Sequence, residues 1–291
     1  MTATAGLYHS AVSGVLVSVE WLQRHLESVR LLDVRGEVAT GQPRYRAHPE
    51  HYREGHIPGA VFADWRVDFT DRDSAVPVTI APPEVFAADA TRLGIGADTV
   101  VVAYDHYHNV LAGRIVLVLR SYDHVASHVL DGGLSAWTNA GCPLEGGAVV
   151  PAPADPPHPV PAGPEGVIGL EGMRRAIQDG AQLLDARKAE EYSGRETHAR
   201  RAGHIPGALN VPYRSLLDGD GRFLPADRLA ELLDGYGVDL DRPTVAYCNG
   251  GVSATAVATA VEIVSGRRPV VYDGSWNQWG DREDTPVETG P

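Results

Sequence analysis

Along the chain, apolar runs of four to six residues alternate with stretches in which apolar residues return every third or fourth position. Leu31-Leu32-Asp33-Val34, Val101-Val102-Ala103-Tyr104, Leu183-Leu184-Asp185-Ala186 and residues 243–247 predict short buried strands. Trp21, Leu22 and Leu26 share one face of a first helix, and Leu229, Leu232 and Leu233 one face of a later one. Strands that alternate with helices predict a mostly parallel sheet covered by helices on both faces, the α/β arrangement.

The pattern is written twice. Leu31-Leu32-Asp33-Val34-Arg35 returns as Leu183-Leu184-Asp185-Ala186-Arg187, and Gly55-His56-Ile57-Pro58-Gly59-Ala60 as Gly203-His204-Ile205-Pro206-Gly207-Ala208. In that turn Pro fixes φ and Gly permits a positive one. Val101-Val102-Ala103-Tyr104-Asp105 matches Thr244-Val245-Ala246-Tyr247-Cys248. Leu130-Asp131-Gly132-Gly133 with Trp137 matches Tyr272-Asp273-Gly274-Ser275 with Trp279. The order is the same in both copies, as a tandem duplication requires. Between them, prolines at 151, 153, 156, 157, 159, 161 and 164 favour an extended connection. The expected organisation is a first domain over 1–148, a Pro-rich linker over 149–166 and a second domain over 167–291.

A length of 291 residues accommodates two such domains, and 43% hydrophobic with 22% charged residues is ordinary for globular proteins. The net charge of −13 argues against nucleic acid or an anionic membrane surface as a partner. Residues 11–19 are mildly apolar, with no basic residue before them and no run long enough to span a bilayer, so a cytoplasmic protein is expected. Two cysteines, Cys142 and Cys248, are too few for a disulfide scaffold or a Cys-based zinc site. No cofactor and no metal are expected; a single reactive thiol fits the count.

One loop has the residues for chemistry. After the strand at 243–247 come Cys248, Asn249, Gly250, Gly251, Val252 and Ser253, followed by an alanine-rich helical stretch that ends at Gly266. Adjacent glycines let successive N–H groups turn around one point, and Ser253 is placed to cap the helix. A thiolate held by N–H dipoles and the positive end of a helix is the setting that activates cysteine. Cys248 is therefore the candidate catalytic residue, with Asn249, Gly250, Gly251, Val252 and Ser253 as the substrate-binding loop. Cys142, in a turn after a helix, is read as incidental. Asp105 stands at the repeat position of Cys248 in a loop without glycine, which predicts a silent first copy with neither thiol nor cradle.

These ordered motifs resemble the tandem-domain rhodanese family, the thiosulfate and 3-mercaptopyruvate sulfurtransferases, over nearly the whole chain. The resemblance implies two rhodanese-like domains and a cycle in which Cys248, as a persulfide, moves sulfur from a small anionic donor to a thiophilic acceptor: cyanide, a thiol or a thioredoxin-like protein. It also implies two arginines that hold the donor. Arg187 matches the first; the second position falls on Ser193, with Arg195 two residues on as its replacement. The family's mercaptopyruvate users read Cys-Gly-Ser-Gly-Val-Thr in the loop and its thiosulfate users Cys-Arg-Lys-Gly-Val-Thr. Asn249 and Gly250 match neither, and the absence of a basic residue in the loop leans toward mercaptopyruvate.

Two other functions compete with this reading. A phosphatase of related fold needs arginine six residues after the cysteine, where Ala254 stands. A sulfur-carrier or regulatory module that hands persulfide sulfur to a protein partner fits the same loop. His56 and His204, present in both copies, are assigned to their turns rather than to catalysis.

Overall fold

A computed structural model describes residues 14–290. The apolar stretch that begins at residue 11 lies partly outside them. Two compact units result, one of residues 14–71, 81–164 and 219–222 and the other of residues 72–80, 165–218 and 223–290.

In the first unit, strands β1 (Leu16–Val17), β2 (Arg30–Asp33), β5 (Val61–Phe62), β6 (Val101–Tyr104) and β7 (Ser127–Leu130) form one sheet in the order β1-β7-β6-β2-β5. Every pairing is parallel, with Asp33 opposite Tyr104. A small antiparallel pair, β3 (Gly36–Val38) and β4 (Tyr45–Ala47), follows β2. Helices α1 (Val19–His25), α2 (Pro49–Glu54), α3 (Pro83–Arg92), α4 (Val110–Ser121) and α5 (Gly133–Asn139) complete the unit.

In the second unit, β8 (Val167–Ile168), β9 (Gln182–Asp185), β10 (Leu209–Asn210), β11 (Thr244–Tyr247) and β12 (Val270–Tyr272) run in the order β8-β12-β11-β9-β10, again all parallel, with Asp185 opposite Tyr247. Its helices are α6 (Leu170–Gln178), α7 (Ala189–Tyr192), α8 (Ala226–Gly235), α9 (Ala254–Ser265) and α10 (Ser275–Trp279). Strand for strand, this is the order of the first sheet, so the duplication read from the motifs is a duplication of fold.

Central strands covered on both faces must be apolar throughout, and β2, β6, β9 and β11 are buried except at their first residue in β2 and β11. Leu22, Leu31, Ile57, Tyr104 and Trp137 pack together in the first unit, with Trp21 and Leu26 partly buried against them. Met173, Leu183, Ile205, Tyr247, Trp276 and Trp279 do so in the second. Leu229 and Leu233 of α8 are fully buried, as the helical spacing requires.

The repeated turn has the same physical basis in each unit. His56 Nδ1 bonds the Tyr52 carbonyl at 2.9 Å and stacks on the Tyr52 ring; His204 Nδ1 bonds the Tyr192 carbonyl at 2.8 Å and stacks on Tyr192. Gly59 and Gly207 take φ of 77° and 75°. A contact repeated in both units supports the assignment of these histidines to the turn.

Candidate active site

The fold places Cys248 directly after β11, at the carboxyl end of a central strand, where open α/β sheets bind ligands. Its side chain is buried, 1% exposed. Three anchors hold the loop that follows. Ser275 Oγ accepts the N–H groups of Cys248 at 3.1 Å and Gly251 at 3.0 Å while donating to the Tyr272 carbonyl at 2.7 Å. The Trp276 N–H donates to the Cys248 carbonyl and the Asn277 N–H to the Asn249 carbonyl. Asn249 Nδ2 donates to Glu191 Oε1 at 2.8 Å, leaving Asn249 Oδ1 buried without a partner.

Sequence reasoning missed Ser275, Glu191 and Trp276. Ser275 had a visible signal, since it takes the repeat position of Gly133. Both residues have left-handed backbone, with φ of 48° at Ser275 and 53° at Gly133. A side chain in that region costs of order 1 kcal/mol or more, and here it brings a hydroxyl under two loop amides. Ile80, in the segment that belongs to this unit, donates its N–H to Asp273 Oδ2 at 2.8 Å, two residues before Ser275. The division of the sequence into halves gave no hint of that contact.

The glycine pair behaves unequally. Gly251 alone has a positive φ, 69°. Ser253 occupies the position before α9, but its side chain makes no capping bond and its backbone is already helical, so the expected N-cap is corrected. The first turn is closed instead by the Thr255 and Ala256 N–H groups, bonded to the Val252 and Ser253 carbonyls. The N–H groups of Gly250, Val252, Ser253 and Ala254 meet no acceptor among the described residues. Backbone donors seldom go unsatisfied inside a fold, so these four, flanking the anchored Gly251, mark a place for an anion.

The first copy displays what such a loop binds. Asp105 Oδ1 accepts the N–H groups of Tyr107 (2.7 Å) and Asn109 (3.0 Å), and Oδ2 those of Leu111 (2.8 Å) and Ala112 (2.9 Å) in the first turn of α4. The expectation that this loop has no cradle is overturned. His108 and Asn109 take φ of 61° and 62° without glycine, asparagine being among the residues that tolerate this region. Burial pushes the Asp105 carboxyl up, and the four N–H bonds oppose that shift.

Arg187 is engaged within the protein. Its side chain is 1% exposed; Nε and Nη2 bond the Asp185 carboxylate, the shorter contact being 2.6 Å, and Nη2 donates to the Gly203 carbonyl at 2.8 Å. The guanidinium lies 4.5 Å from the Trp276 ring centroid. Burial is the largest influence and works against its charge, but the attraction and hydrogen bonds of Asp185, with smaller pulls from Tyr247 and Glu191, together raise its pKa. Arg35 makes the same contacts with Asp33 and the Gly55 carbonyl. In both copies this arginine holds the strand end to the turn.

Arg195 is 68% exposed at its side chain, with Nε bonded to Ser193 Oγ at 3.2 Å and Nη2 3.5 Å from Glu190. Its guanidinium does stand beside the position where the second family arginine falls. Cys142 lies in the first unit, where Gln23 Nε2 donates to its sulfur at 3.1 Å.

Comparison with known proteins fits this geometry. The Rhodanese-like domain matches residues 18–140 and again 170–282, and the chain belongs to the rhodanese family. It is 33% identical over 276 residues to the 3-mercaptopyruvate sulfurtransferase of Escherichia coli, covering 94% of this chain and 97% of that protein. It is 33% identical over 294 residues to the sulfur carrier protein TtuD of Thermus thermophilus, covering 95% and 97%. The crystal structure of SseA from Escherichia coli, a 3-mercaptopyruvate sulfotransferase, superposes with a TM-score of 0.80 at 32% identity over 90% of this chain and 99% of that one. The protein is an enzyme of the sulfurtransferase type. No helix among the described residues is long and apolar enough to cross a membrane.

Proposed function

We propose that this sulfurtransferase carries sulfur on Cys248 as a persulfide, taking it from 3-mercaptopyruvate in preference to thiosulfate and giving it to cyanide or a thiol. In the first half-reaction the Cys248 thiolate attacks the donor sulfur, an S–S bond forms, the donor's C–S bond breaks, and the leaving enolate takes a proton to become pyruvate. In the second, the acceptor attacks the outer sulfur and the S–S bond breaks, which returns the thiolate. The observation that carries this reading is the set of N–H groups of Gly250, Val252, Ser253 and Ala254, which meet no acceptor among the described residues, beside the only thiol of this unit among them. Where the first copy holds a carboxylate on its loop amides, the second has amides ready for the sulfur anion and the charge that develops on it.

The donor preference rests on charge. Thiosulfate is a compact dianion, and the loop offers it no basic side chain, while the Glu191 carboxylate is bonded to Asn249. Mercaptopyruvate places its carboxylate away from the sulfur, within the province of a guanidinium outside the loop. With Arg187 engaged, Arg195 takes that role. The test is steady-state kcat/KM for the two donors with cyanide as acceptor; a higher value for thiosulfate overturns the donor assignment.

The relative named as a sulfur carrier gives weight to a second reading, in which Cys248 passes its sulfur only to a protein partner. Repeated release of thiocyanate from one enzyme molecule excludes this, whereas a halt after one equivalent supports it.

A further inference from the structure

The first unit has a cluster of imidazoles and carboxylates that sulfur transfer does not use. His48, Glu50 and His51 each offer one ligand atom, and these atoms all lie within 4.8 Å of one another. The local sequence explains why. His48 immediately precedes α2 and His51 closes its first turn, a spacing of three that puts both rings on one side. Their ring centroids are 4.9 Å apart, and His106 stands edge-on to His48 at 6.1 Å. With zinc–nitrogen bonds of about 2.0–2.1 Å, two imidazoles on one ion have centroids roughly 5–6 Å apart.

We propose that His48, Glu50 and His51 form a binding site for a divalent transition ion of the zinc type, with His106 at its rim for the fourth position. His48 Nδ1 lies 3.1 Å from Glu50 Oε1, about the ligand-to-ligand edge of a tetrahedron with bonds of that length. The ion takes the place of the proton between them. His48 Nε2 faces Glu37 Oε1 at 3.9 Å, and Glu37 is fixed in turn by Arg46 at 3.1 Å. A carboxylate behind a ligating imidazole is the usual support that orients the ring and raises its basicity. Two imidazoles and one carboxylate suit zinc better than magnesium or calcium, which prefer oxygen ligands alone. The site tethers α2 to β3 and β4 and has no part in sulfur transfer. Counting cysteines could not reveal it, because it contains none.

Titrating untagged, chelator-treated protein with cobalt(II) and then zinc tests the assignment. A Cys142→Ser, Cys248→Ser background removes thiolate ligands from consideration. In that background one equivalent of cobalt should bind with the visible spectrum of a low-symmetry, tetrahedral-type complex, and zinc should displace it. His48→Ala and His51→Ala should each weaken zinc binding by about 10-fold or more. Both should keep the sulfur-transfer rate of the parent when made in the wild-type chain. Zinc binding that disappears with the cysteines, or that survives both histidine substitutions undiminished, overturns the proposal.

Discussion

Arg187 Nη2 stands 2.6 Å from Asp185 Oδ2, and the pair is repeated as Arg35 and Asp33 at 2.7 Å in the copy whose cysteine position holds Asp105. In both, the same arginine nitrogen also bonds the glycine carbonyl that opens the His-Ile-Pro-Gly turn. Tyr104 adds its hydroxyl to Asp33 at 2.7 Å and receives the Ile57 N–H; Tyr247 receives the Ile205 N–H at 3.1 Å. The arrangement ties two adjacent strands to the turn, and its recurrence separates architecture from chemistry.

Removing the Arg187 guanidinium therefore acts on folding first. Arg187→Ala leaves the Asp185 carboxylate buried and unpaired and should cost about 3–5 kcal/mol in a denaturant titration. Arg195→Ala should leave stability within ~0.5 kcal/mol and raise KM for mercaptopyruvate several-fold. A stable Arg187→Ala enzyme with a raised KM alone would reverse these roles.

In the first copy, Asp105→Ala strips four N–H groups of their acceptor. Its destabilisation should exceed about 3 kcal/mol, well above that of an average surface change. Asp105→Cys should add no second turning-over thiol, since the bulky His106 and Tyr107 stand in that loop where Asn249 and Gly250 follow Cys248. Two sulfur atoms loaded and released per chain would contradict this.

Ser275→Gly copies the residue found at the repeat position, relieving the left-handed backbone while removing the hydroxyl under the Cys248 and Gly251 amides. Thermal stability should change little. The value of kcat/KM should fall by about 10-fold or more, roughly 1.4 kcal/mol of transition-state stabilisation. Retention of full activity would show that the loop keeps its shape without this anchor.

Asp68 provides a pH signature for the first unit. Burial pushes its carboxyl up to about 6, against the pull of Arg92 at 2.6 Å. In the folded chain it keeps its proton between about pH 4 and 6, where the unfolded chain has lost it. Its contribution to stability is thus present at low pH and lost as pH rises through about 6, amounting to roughly 2–3 kcal/mol. The difference in unfolding free energy between wild type and Asp68→Asn should follow that slope across the window. A pH-independent difference would contradict the raised pKa.

Much of this was legible in the sequence because it was written twice. The strand motifs and the two His-Ile-Pro-Gly-Ala turns define the parallel sheets, since buried strands and positive-φ turns require those residue types wherever they occur. The position of Cys248 followed from the order strand, loop, helix. The pairing of Arg187 with Asp185 was not legible, because spacing cannot tell that a guanidinium folds back onto a carboxylate two residues before it. The Asp105 cradle was hidden for a related reason: asparagine and histidine there adopt a backbone that the search for glycine overlooked. Contacts distant in sequence, such as Asn249 with Glu191 and Cys248 with Ser275, carry no local signal.

The most direct test of the account is intact-mass measurement of the protein after exposure to 3-mercaptopyruvate, followed by cyanide. Wild type and Cys142→Ala should each gain one sulfur atom and lose it again as thiocyanate, over many cycles with donor in excess. Cys248→Ala should gain none. Sulfur loading or turnover that persists without Cys248, or that vanishes without Cys142, would contradict the central claim.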